Sequence, residues 1–137
     1  MDTKESIAVI EKITERAKQL AKPGPVKYGA LAPGDYHRQG DVYFTKLPGV
    51  PSGCAKAEAQ IQLAPGTTQG SRHCLESLRG VEFFRAPNAT ELDGPIVQCE
   101  HPITVNHPEH GTVTMPPGTY KITYQRQHAE ELKRVRD

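Results

Sequence analysis

The chain has 137 residues and a formal net charge of +1. That length suits one domain around one core. The near-balanced charge argues against bulk polyanion binding, and no apolar run is long enough to cross a bilayer. Cys54, Cys74 and Cys99 cannot all pair within one chain. The start MDTKES is too polar for a signal peptide, so free thiols and a reducing, cytoplasmic setting are expected.

Residues 1–22 carry Ile7, Val9, Ile10, Ile13, Ala17, Leu20 and Ala21 at helical spacing, with Asp2 and Glu5 placed to cap the first turn. The pattern predicts an amphipathic N-terminal helix. It either covers its own domain or serves self-association or a protein partner. Lys22-Pro23-Gly24-Pro25 stops it, and residues 23–39, rich in glycine and proline, are expected to be a linker to a β domain over 40–127.

Within that domain Val42–Lys46 reads as a short strand. Ala57, Ala59, Ile61 and Leu63 alternate with Lys56, Glu58, Gln60 and Gln62, which predicts a strand with one wet face. Residues 81–85 form another strand after Gly80, and 96–105 form one or two strands broken near Pro102. The segment HPITVNHPEHGTVTMPPGTYKITYQRQ, residues 101–127, places a histidine-rich loop ahead of a strand, a Pro-Pro-Gly turn and a second strand. About eight short strands bounded by turn residues fit a small antiparallel barrel or sandwich. Residues 128–137, with Ala129, Leu132 and Val135 at helical spacing, predict a short C-terminal helix or tail.

The chemistry concentrates on His73, His107, Glu109 and His110. Imidazoles are ligands for zinc, manganese or iron, and a carboxylate beside them can move a proton. His107 and His110, three residues apart in a loop, can turn toward one ion, with His73 arriving from another strand. Glu109 would then be the acid or base of metal-assisted hydrolysis. The alternative leaves these histidines structural, in a non-enzymatic accessory or virion protein that binds another protein. Cys99 and His101 would share one face of an extended strand, where a buried cysteine is the commoner outcome than a nucleophile. Tyr28, Tyr36, Tyr43, Tyr120 and Tyr124 with Arg72, Arg85 and Arg126 have the composition of a stacking surface for single-stranded nucleic acid. Core and sheet-face roles suit those tyrosines equally well.

In order along the chain stand Gln39-Gly40-Asp41-Val42, Gly66-Thr67-Thr68-Gln69-Gly70-Ser71-Arg72-His73, His107-Pro108-Glu109-His110, Pro116-Pro117-Gly118-Thr119-Tyr120 and Gln125-Arg126-Gln127. This series resembles a family of small, mostly uncharacterised bacterial and phage proteins, over about residues 38–127. In many of its members the turn before the strand reads Gly-His-x-His. Ser71 stands at the first of those histidines here, so the resemblance carries over to His73 alone. A looser likeness to cupins lies in Pro65-Gly66, His73, Glu76 and Gly80 and in the turn from Gly111 to Gly118. It implies a barrel of antiparallel strands, and Tyr120 stands where the second cupin motif has a histidine.

Overall fold

The computed structural model describes residues 25–125. The helices expected over 1–22 and 128–137 lie outside them. Ten strands occur among the described residues: β1 (Val26–Lys27), β2 (Tyr36–Gln39), β3 (Val42–Leu47), β4 (Ala55–Ala57), β5 (Cys74–Leu75), β6 (Val81–Arg85), β7 (Asp93–Cys99), β8 (Ile103–His107), β9 (Gly111–Met115) and β10 (Gly118–Tyr124). They form a six-stranded sheet in the order β2-β3-β10-β7-β6-β4 and a four-stranded sheet in the order β1-β9-β8-β5. The larger sheet is antiparallel throughout, and β1 alone joins its neighbour in parallel. The sheets do not close into a barrel, the architecture that the cupin likeness implies and one of the two that the turn-rich pattern fits. One core joins them, with Val42, Phe44, Val97, Tyr120 and Ile122 from the larger sheet and Leu75, Ile103, Val105, Val113 and Met115 from the smaller. Each sheet therefore buries one face, which is what period-two alternation demands of an antiparallel strand.

The part expected to be a linker contributes β1 and β2. Tyr36–Gln39 pairs in full with β3, from Tyr36 opposite Thr45 to Gln39 opposite Val42. Glycine and proline density hid a four-residue strand whose inward residues, His37 and Gln39, are polar. The expected strand over 56–63 is also revised. Only Ala55–Ala57 pairs with β6. The chain then crosses to the other sheet, where Gln62 bridges Cys74 and the Leu63 and Leu75 amides donate to the His73 and Ile61 carbonyls, both at 2.8 Å. The crossing breaks the alternation, so Ile61 is exposed while Leu63 and Ala64 are both buried. Strand β7 begins at Asp93 and takes in Pro95, ahead of the start at 96 read from the sequence, because a register shift opposite Lys121–Thr123 accommodates an extra residue there. A bulge is one of the few places a sheet tolerates proline.

Candidate functional site

Two tight hairpins set the site. The turn between β2 and β3 has only Gly40 and Asp41 at its centre, since Gln39 pairs with Val42. Gly40 has φ +59° and Asp41 does not take a positive φ, the pattern of a type II′ hairpin turn, which favours glycine at its first central position. The turn leaves Gln39 pointing inward and Asp41 at the tip. The second hairpin joins β8 to β9 through Pro108-Glu109-His110, with His107 opposite Gly111 and Gly111 at φ +79°. Between the two tips a single 3-10 turn, Gln69–Ser71, delivers His73 just ahead of β5.

His73, His107 and His110 come together here. Ring centroids lie 4.3 Å apart for His73 and His107, 4.4 Å for His107 and His110, and 6.4 Å for His73 and His110. His73 is 0% exposed and His107 is buried, while His110 and Glu109 face solvent at the rim. The His110 ring lies against the Gly40 backbone so closely that a β-carbon there would overlap it.

Hydrogen bonding fixes the state of each buried ring. Gln39 Nε2 donates to the Val105 carbonyl at 3.0 Å and the Gly111 carbonyl at 2.8 Å. Turning the amide over would set its oxygen against both carbonyls, so Gln39 Oε1 must be the atom facing His73 Nδ1 at 2.8 Å. His73 Nδ1 therefore carries a hydrogen and donates it. His73 Nε2 faces Asp41 Oδ1 at 3.1 Å. His107 has the opposite tautomer. Its Nδ1 accepts the backbone N–H groups of Glu109 and His110, each at 3.0 Å, so its Nε2 donates to the Gly70 carbonyl at 3.2 Å. His107 thus caps the turn that follows it.

Burial lowers the proton affinity of His73 and His107. At His73 the neighbouring His107 acts the same way, whereas the hydrogen bond and charge of Asp41 oppose it. At His107 the Gly70 carbonyl opposes burial.

This donor set does not suit the three-imidazole ion site expected from the sequence. Both nitrogens of His107 and Nδ1 of His73 serve protein partners. Among the described residues no group of three or more His, Cys, Asp or Glu side chains is arranged to hold a metal ion. Glu109 reaches the cluster through its backbone amide, and its side chain is exposed. The residues absent from the sequence reading of the site are Gln39 and Asp41, and their signal was the Gln-Gly-Asp-Val string itself.

The other candidates separate. Cys99 is buried, its thiol donates to the Gly118 carbonyl at 3.3 Å, and burial raises its pKa; His101 is exposed beside Gly80. Cys54 and Cys74 are free and half-buried. Tyr120 and Tyr124 are buried, with hydroxyls donating to the Pro116 and Leu63 carbonyls at 2.6 and 2.7 Å. Tyr36, Arg38 and Tyr43 cluster on the outer face of the larger sheet, and Tyr28 stacks on His37, so the tyrosines do not form one surface.

Fold and site together define an all-β domain of two packed sheets, tied at one end by a buried imidazole–amide–carboxylate network. A family model described as a domain of unknown function, DUF8820, matches residues 38–125, and the chain belongs to that family. The match begins one residue before Gln39 and spans both hairpins and His73. No curated protein and no solved structure matches the chain.

Proposed function

We propose that this domain is a non-enzymatic binding module whose histidines are structural and whose ligand is a segment of another protein. The observation that carries this reading is the internal use of the ring nitrogens: His73 spends them on Gln39 and Asp41, and His107 spends them on its own turn and the Gly70 carbonyl. An open concavity lies elsewhere, a groove of about 770 Å³ between the crossing segment 57–66, the segment 89–95 that leads into β7, and the end of β10. Phe83, Leu63 and Tyr124 give it an apolar floor, and Glu58, Glu91 and Asp93 outnumber Arg85 around it. That combination favours an extended peptide with apolar side chains and a basic residue.

Two measurements test the reading. Protein purified without an affinity tag and offered zinc, manganese or iron in turn should hold none of them at stoichiometric level through its histidines. Peptides selected from a random library should perturb amide resonances of the groove, and Glu58→Lys together with Glu91→Lys should weaken them at least tenfold. One equivalent of metal, lost in His73→Ala with the fold kept, would instead favour metal-assisted chemistry with Glu109 at the rim.

A further inference from the structure

We propose that the chain's own C-terminal segment, residues 126–137, occupies the acidic groove and must be displaced before a segment of another protein can bind. The inference rests on reading that groove as a peptide site and adds what regulates it. The described residues end at Gln125, one position past Tyr124. Tyr124 lines the groove and is anchored there, its hydroxyl donating to the Leu63 carbonyl at 2.7 Å. Residues 126–137 therefore start at the groove's own margin. The other end of the described chain leads in through β1, an edge strand of the four-stranded sheet, and β1 lines no part of the groove.

The chemistry of the segment matches the groove. Leu132-Lys133-Arg134-Val135-Arg136 sets two apolar side chains among three cations, with Glu130 and Glu131 ahead of the run and Asp137 after it. On the groove side Ile61 and Leu92, each flanked in sequence by lining residues, are 43% and 38% exposed. A segment laid along the groove would take that apolar surface out of water. Asp93 already has Lys121 at 3.5 Å. Glu58 and Glu91 are exposed at the groove, and among the described lining residues Arg85 is the cation set against them. The surplus is acidic, and a run of three cations is its complement.

Covalent attachment makes a weak contact effective. A short tether gives an effective concentration on the order of a millimolar. A segment whose free Kd is about 0.1 mM would then fill its groove roughly ten times out of eleven. An incoming peptide would lose about the same tenfold factor in apparent affinity. Whatever draws residues 126–137 away would restore it.

NMR of the full chain at low salt tests it. Nuclear Overhauser contacts from the Leu132 and Val135 methyls to Ile61, Phe83 or Leu92 are expected in the wild type. Leu132→Asp with Val135→Asp should abolish them and shift the amides of Glu58, Leu63 and Glu91. That variant should also bind a synthetic peptide of residues 126–137 about tenfold tighter than the wild type does. Charge reversal guards against a mere folding defect: Lys133→Glu with Arg136→Glu should lose the contacts, and adding Glu58→Lys with Glu91→Lys should bring them back. Absence of the contacts in the wild type, with the peptide binding both proteins equally, would overturn the inference and leave the groove a peptide site. Failure of the peptide to bind the Leu132→Asp, Val135→Asp variant would overturn it as well, while library peptides that still bind would keep the peptide-site reading.

Discussion

His37 and Gln39 sit two residues apart on β2, both pointing inward, and the regions they enter are opposites. Around Gln39 every polar atom has a partner: its amide ties β2 to β8 and β9 and orients His73, which meets Asp41. Around His37, among the described residues, there is none. The imidazole is 6% exposed and lies between Tyr28, at 4.1 Å between centroids, and Phe44, at 5.0 Å. Among the described residues neither of its nitrogens has a hydrogen-bond partner. One slot treats an imidazole as an aromatic plate; the other uses it as a connector. Burial alone thus does not assign a role to a histidine. The polar inventory within reach of its nitrogens does.

The contrast can be broken at either end. The largest effect should come from Gln39→Leu. It strands two buried carbonyls and the Nδ1–H of His73, and leaving such groups unpaired costs about 1–3 kcal/mol each, so a loss of at least ~3 kcal/mol is expected in urea unfolding. Next is acid sensitivity. Burial lowers the His37 pKa to about 4, whereas the unfolded chain titrates near 6.5. The unfolded state then binds more protons, so stability is full above about pH 6.5 and falls as pH drops toward 4, by at most about 3 kcal/mol at roughly 1.4 kcal/mol per unit. His37→Phe should remove the His37 share of that acid-limb slope and leave the share of His73 and His107, whose proton affinities burial also lowers; unfolding midpoints across pH 4–9 check it.

Smaller effects sharpen the same picture. Gly40→Ala combines a β-carbon against the His110 ring with φ +59°, and about 1–2 kcal/mol of destabilisation is expected from the two together. His110→Ala should cost well under ~1 kcal/mol, because the ring is exposed and surface substitutions rarely exceed about 0.5 kcal/mol. Made in the Gly40→Ala background it should recover part of that loss, and a double-mutant cycle showing no coupling would remove His110 from the network.

The alternating residues of β3, β9 and β10 made an all-β core legible, since a strand with Val42 and Phe44 on one side, or Tyr120, Ile122 and Tyr124 on one side, can bury that side only against another sheet. The sequence also made His73, His107 and His110 conspicuous as one group. Their chemistry was not legible, because a nitrogen's role depends on which atom lies within about 3 Å of it, and those atoms come from residues up to 37 positions away, as with His107 and the Gly70 carbonyl. Closure into a barrel was undetermined for the same kind of reason: alternation specifies a wet and a dry face but not which edges meet. The residues from 57 to 63 look like one strand in sequence, yet they serve two sheets in turn, since Ala57 pairs with Phe83 and Gln62 with Cys74. Local pattern determined which side chains β3, β9 and β10 bury, because alternation assigns each strand a dry face, and the tertiary structure decided what each buried polar atom would face.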